Sequence, residues 1–212
     1  MARRETDIPE DLEKLPTAEA AALAKVQAVQ EELRLGEAFI QAHRGQLWDA
    51  PAARPYLRLR MALACLLERN AQWKEARSHF EALLRFTPAD PQRASLHLAH
   101  TLAQQGDLEA LSALVAHQEP TPFWLWMKLL LLVRQEQLKQ AQTLLRQAQQ
   151  ANRHVLALLQ GRARPRKANL EAKPHTAEHA AALLKHLAPA WSASREAMYW
   201  LMKIEAETSA KS

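Results

Sequence analysis

The chain has 212 residues, 48% of them hydrophobic and 24% charged, with a formal net charge of +5 and one cysteine. That length buries a sizeable core without staples, and the lone Cys65 excludes an internal disulfide. The apolar stretch Met127 to Val133 holds Lys128 and falls far short of the ~20 residues of a membrane span.

No N-terminal apolar stretch resembles a signal peptide, so the expected location is cytoplasmic with no membrane partner. Four glycines and a predominance of Ala, Leu, Gln, Glu and Arg make a helix-forming composition. The eleven prolines cluster near residues 9 to 16, 51 to 55, 88 to 91, 120 to 122 and 165 to 174 and at 189. Proline removes a backbone donor and clashes with the preceding turn, so the blocks between clusters are the helical units. In chain order we expect a disordered start over 1–16, then a single helical domain over 17–206, then a disordered tail over 207–212. The domain holds a helix or two from Thr17 to His43, three helical hairpins from Arg54 to Gln160, a basic loop at about 161–175, and a closing hairpin from Thr176 to Ala206. Trp191 and Trp200 are expected to cap the last exposed apolar end, as helical repeat arrays require. About nine or ten helices result.

The hairpins rest on spacing. Leu59, Leu63, Leu66 and Leu67 lie at helical intervals, a turn follows around Asn70 to Gln72, and Ala76, Phe80, Leu83 and Leu84 resume the period. The pairs Ala64 and Ala76, Ala99 and Leu111, and Leu129 and Ala141 share one internal separation, with Gly106-Asp107 at the second turn and Pro88 closing the first hairpin. A two-helix period of roughly 30 to 35 residues is that of the tetratricopeptide repeat, TPR. Ala64, Ala76, Phe80 and Pro88 fit it, while Leu111 and Leu129 make the later repeats degenerate. The expected fold is all-α, antiparallel hairpins stacked as a TPR-like right-handed solenoid with a C-terminal capping hairpin; an irregular helical bundle is the alternative.

The run Arg54-Pro55-Tyr56-Leu57-Arg58-Leu59-Arg60-Met61-Ala62-Leu63-Ala64 resembles the "RPYMRAR-GLA" signature of a family of largely uncharacterised bacterial TPR proteins. Gly45-Gln46-Leu47-Trp48 is similar to its Gly-x-x-Trp element. Phe123-Trp124-Leu125-Trp126, Asn152-Arg153-His154-Val155, Leu158-Leu159-Gln160-Gly161, and Trp191 with Trp200-Leu201 are similar to its later features. The likeness spans about residues 35 to 203. It departs at Thr87-Pro88-Ala89-Asp90-Pro91-Gln92-Arg93, where the family's "NPNDNQG" has asparagines and a glycine, and in the basic loop after Gly161. The resemblance implies a fold and carries no activity.

In such repeats the first helices line a concave face. The stripes expected there are Arg58, Met61 and Cys65, then Arg93, Leu96 and His100, then Phe123, Trp126 and Leu130, which make a mostly apolar groove for an apolar protein or peptide segment. The competing reading covers Phe123, Trp126 and Leu130 with the chain's own C-terminal helices. Self-association is another outlet for the same groove.

Between Arg153 and Lys173 six basic residues face one acid, Glu171, an excess equal to the whole net charge. Arg162, Arg164, Arg166 and Lys167 could contact phosphates, although no aromatic interleaves with them for base stacking; a solvated charge run is the plainer reading. His97 with His100 and His175 with His179 share helix faces, but no cysteine or carboxylate cluster completes a metal site, so these read as surface pairs and no metal or cofactor is expected. Cys65 lacks a cue for an activating base and reads as a small hydrophobe, Ser78-His79 as an ordinary helical pair, and no glycine loop cradles phosphate. No catalytic residue is expected. The functional expectation is a non-enzymatic scaffold for a protein or peptide partner, with phosphate contact through the 162–167 loop of a nucleic-acid-associated protein as the alternative.

Overall fold

The computed structural model describes residues 8–164 and 167–209. Among them are twelve α-helices and no strand: α1 Glu10–Glu13, α2 Thr17–Leu35, α3 Glu37–Ala42, α4 Arg54–Arg69, α5 Trp73–Phe86, α6 Ala94–Gln105, α7 Leu108–Ala116, α8 Pro122–Arg134, α9 Leu138–Ala151, α10 His154–Leu159, α11 Ala177–Ser192 and α12 Arg195–Ser209. Two short 3-10 turns, Leu47–Asp49 and Pro51–Ala53, precede α4. The all-α class expected from composition is what the chain adopts. It falls into two compact units, Met1–Thr101 and Leu102–Ser212, with the division inside α6.

In the first unit α4 is the central element. Pro55 sits in its first turn, where a missing amide is harmless, and Tyr56, Leu57 and every residue from Met61 to Glu68 are buried. α2 packs on α4 with a face made of alanines, Ala20, Ala21, Ala24 and Ala28, whose small side chains permit close approach. α5 packs on α4 as well, burying Ala76, Phe80, Ala82 and Leu83. The disordered start expected over 1–16 is not what residues 8–16 do: they include α1, which packs on α2, with Ile8 and Leu12 both buried. Apolar side chains at Ile8 and Leu12 give this short segment something to bury. Residues 1–7 lie outside the described residues. The expected tail also begins later, since α12 continues to Ser209.

In the second unit α8 is the central element, buried along its length except at Lys128 and Arg134. It packs on α9, α11 and α12. The last two helices are α11 and α12, with Thr176 capping α11 by accepting from the His179 amide. Trp191 lies fully buried against Trp126, ring centroids 5.9 Å apart, so it is a core residue joining α8 to α11, while Trp200 is half-buried.

The helix ends after α4, α6 and α8 share one turn, and α10 ends on the same pattern, with Arg162 donating to the Ala157 carbonyl at 2.9 Å and Gly161 to that of Leu158 at 3.1 Å. After α4, the Gln72 amide donates to the Leu67 carbonyl at 2.9 Å and Ala71 to Glu68 at 3.0 Å. After α6, Asp107 donates to Leu102 at 3.1 Å and Gly106 to Ala103 at 3.3 Å; after α8, Gln137 donates to Leu132 at 2.9 Å and Glu136 to Val133 at 3.0 Å. This double bond pattern is the Schellman motif, which needs a left-handed residue at the position after the cap. Ala71, Gly106 and Glu136 occupy it with φ of 56°, 74° and 59°. Each sits seven residues after Ala64, Ala99 and Leu129 and two before the next helix. The internal repeat seen as a spacing is therefore matched by a repeated turn.

A left-handed conformation costs an L-residue with a Cβ roughly 1 kcal/mol or more. Ala71→Gly and Glu136→Gly should each raise stability by about 1 kcal/mol in chemical denaturation. Gly106→Ala should lower it by a similar amount, because its new Cβ would meet only Arg134 at an ordinary 3.6 Å and the backbone alone carries the cost.

Candidate functional site

The groove expected along the first helices is not an open surface. Met61 and Leu96 are buried in the first unit, and Phe123, Trp126 and Leu130 in the second. There Phe123 faces His186 of α11 at 6.3 Å between ring centroids, edge to face, and Trp126 faces Trp191. The closing hairpin covers the aromatic stripe of α8, as the competing reading had it, because eleven buried residues in thirteen make a helix that must be enclosed nearly all round. Arg58 is exposed, but its guanidinium lies 5.8 Å from the centre of the Trp48 ring, which Arg54 also overlies at 5.8 Å while donating to the Trp48 carbonyl at 3.0 Å. Two motifs of the resemblance, Gly-x-x-Trp and Arg-Pro-Tyr, thus meet in one cation-π stack. Arg93 is half-buried in the left-handed region, φ 57°; it stands where the resembled junction has glycine.

His100 belongs to something the sequence did not reveal. Glu68, buried in the last turn of α4, places one carboxylate oxygen 2.7 Å from His97 Nδ1 and the other 2.9 Å from His100 Nδ1. Thr101 Oγ1 donates to the second oxygen at 3.2 Å. Phe80 stacks on His97 at 5.2 Å and Trp73 meets His100 edge-on at 5.7 Å. The expected surface pair of histidines is corrected: both are buried because a buried carboxylate needs them. In the other pair His179 is buried and His175 exposed.

Burial pushes the Glu68 carboxyl up, but bonds from His100 and His97 more than offset this and hold it well below the usual carboxylate range. Burial likewise disfavours charge on His97, and the Cys65 sulfur and the Glu68 carboxylate beside it raise its pKa overall. Cys65 Sγ is 3.9 Å from both ring nitrogens of His97, so neither nitrogen is singled out as a base toward the thiol. Among the described residues no group of three or more His, Cys, Asp or Glu is placed to hold a metal ion.

The first unit does carry a concavity. A cleft of about 330 Å³ lies between α2 and α5 over α4. Its floor is Leu63 and Leu67, its α2 wall is Ala18, Ala21, Ala22 and Lys25, and its α5 wall is Glu75 and His79, with Asn70 and Gln72 at the turn. Burial, with the charges of Arg60 and Lys25, lowers the His79 pKa to about 4, so the ring is neutral at pH 7 and the cleft is lined by apolar and uncharged groups between Lys25 and Glu75. Beyond it α2 continues with Val26, Val29 and Leu33, exposed by 55%, 48% and 77%. Alanines cover the core side of α2, while Val26, Val29 and Leu33 face solvent. That inversion hides the surface from any reading that assigns bulky apolar residues to the core.

The basic loop is exposed at Arg162, Arg164 and Lys167, while Arg166 lies outside the described residues. Asn152 anchors the far end, donating to the carbonyls of Pro174 at 2.6 Å and Thr176 at 3.0 Å, and Gly161, φ 69°, closes α10. Among the described residues no helix is long and apolar enough to cross a membrane. No family model, curated protein or solved structure matches the chain.

The Glu68 cluster sets a pH signature. A depressed carboxylate stabilises above its unfolded pKa near 4.5 and loses that contribution as pH falls. A raised histidine stabilises fully below its unfolded pKa near 6.5 and loses that as pH rises. The stability difference between wild type and Glu68→Gln should therefore peak between pH 4.5 and 6.5 at about 3 kcal/mol, and narrow on both sides. Urea titrations of both proteins across pH check it, and His79 cancels because both proteins contain it.

Proposed function

We propose that the protein is a non-enzymatic, TPR-like interaction scaffold that binds a helical protein segment on the α2 side of its first unit. The observation that carries this is the continuity of the α2–α4–α5 cleft with the exposed Val26, Val29 and Leu33. Soluble proteins seldom leave such contiguous apolar surface uncovered without a partner for it. An amphipathic helix suits it: the cleft is extended by the stripe, apolar at the bottom and bounded by Lys25 on one wall and Glu75 on the other, which matches anchors at helical spacing flanked by charges of both signs. The repeated Schellman turns and the helix–turn–helix spacing support a TPR-like build. The partner site is then the outer face of the first unit, in place of the concave stripe of Met61, Leu96, Phe123, Trp126 and Leu130.

The second reading, phosphate contact by a nucleic-acid-associated protein, is favoured by the exposure of Arg162, Arg164 and Lys167. It would show as binding that falls steeply with salt, by a logarithmic slope of roughly 0.9 per phosphate contacted on duplex DNA.

A photo-crosslinking residue placed at Ala22 or Val26 in the cell of origin should yield discrete protein adducts, and the same residue at exposed Lys74 should yield none. Labelled DNA and RNA should show no salt-dependent binding. Adducts absent from both α2 positions, with nucleic-acid binding lost in the Arg162→Ala, Arg164→Ala, Lys167→Ala variant, would replace the first reading with the second.

A further inference from the structure

Helix α2 is apolar on opposite faces. At 3.6 residues per turn, Ala20, Ala21, Ala24 and Ala28 lie on the core side, and Ala22, Val26, Val29 and Leu33 lie on the other. The outer residues are spaced four, three and four apart. That is the spacing of a coiled-coil seam, with Val26 and Leu33 at a positions and Ala22 and Val29 at d positions.

We propose that this seam binds the α2 helix of a second copy of the chain, antiparallel, about a two-fold axis. The inference rests on the reading of this face as a helix-binding surface and names the helix. In an antiparallel pair an a residue meets a d residue across the seam, which sets Val26 against the partner's Val29 and Ala22 against the partner's Leu33. The second contact is complementary in shape. Ala22 borders the cleft over Leu63 and Leu67, so a small residue opens space where the partner's Leu33, the most exposed of the large apolar side chains of this face, arrives.

Charge chooses the direction. The g positions beside the seam are Lys25 and Glu32, and in an antiparallel pair g faces g, so Lys25 meets the partner's Glu32 and Glu32 meets the partner's Lys25. Glu32 is half exposed and lies 3.8 Å from Arg60 of its own chain, which leaves it within reach of a second cation. A parallel pair would set Glu19 against Glu19 at an a position and Ala22 against Ala22, juxtaposing like charges and leaving a gap. The pairing satisfies itself twice by symmetry, as a closed two-fold interface does.

Sedimentation velocity on the full chain, at micromolar to sub-millimolar concentrations, tests this. Wild type should pass from monomer to dimer. Val29→Glu, on an exposed position, should stay monomeric with an unchanged circular dichroism spectrum. Lys25→Glu and Glu32→Lys should each weaken association by about tenfold or more, because each sets like charges opposite one another, and the double reversal should restore it. A monomeric wild type, a dimer indifferent to Val29→Glu, or a double variant no better than the singles would overturn the pairing. Adducts to other proteins from Ala22 or Val26 with a monomeric wild type would sink self-pairing and keep the helix-binding reading. Absence of both adducts and dimers would sink the two together.

Discussion

The buried carboxylate of Glu68 is the constraint on which the first unit depends. A charge taken out of water must be matched by bonds from its surroundings, and removing any of them leaves it stranded. His97, His100 and Thr101 supply those bonds from a single face of α6, while Phe80 and Trp73 of α5 close over the two rings. The end of α4 is thereby tied to α5 and α6 at one point with a fixed direction, which apolar packing by itself would not impose. One residue earlier, Leu67 turns away from this cluster to the cleft. The same helix end thus holds the polar knot on one side and the apolar floor of the proposed partner site on the other. A loosened knot would be felt at the floor.

The loop into α6 prepares the same contact. Asp90, itself left-handed at φ 50°, accepts from the Ala94 amide at 2.6 Å and from the Ser95 amide at 3.0 Å. These bonds satisfy donors that a helix start leaves open. Pro88 and Pro91 stop α5 from running on, and the two left-handed residues, Asp90 and Arg93, turn the chain so that His97 and His100 present one face to Glu68. Glycine would be the ordinary choice at such φ values; here the chain uses Asp90 and Arg93, and Asp90 returns hydrogen bonds for the conformation.

How much of this was legible depends on what kind of signal each feature leaves. Helices and their breaks were readable from proline clusters and periodicity, because both act through the local backbone. Of the three hairpin turns only that at Gly106 was readable; Ala71 and Glu136 adopt the same conformation without a residue that announces it. The stripe of Phe123, Trp126 and Leu130 was readable as apolar, but the choice between an open groove and a cover of C-terminal helices was not, since period says which side chains share a face and nothing about what covers it. The histidine pair misled for the opposite reason: spacing of i and i+3 fits a surface equally well. The signal that could have found the cluster is Glu68 itself, the first charge after the unbroken apolar run from Met61 to Leu67, where burial is forced on it by its neighbours.

α2 shows why residue size can invert the usual assignment. A helix that must lie close to a fully buried neighbour is best served by alanine, and Ala20, Ala21, Ala24 and Ala28 give α2 that contact with α4. Once the alanines are spent on the core, Val26, Val29 and Leu33 are left exposed, by 55%, 48% and 77%. A helix apolar on both sides is one that ordinarily ends up enclosed, and the proposed pairing is what would enclose the exposed side. The 4-3-4 spacing and the opposite signs of Lys25 and Glu32 specify a helix running the other way, and α2 meets that specification itself. A two-fold pairing also consumes the whole stripe on both copies, which ends the assembly at two and leaves no apolar seam to recruit a third.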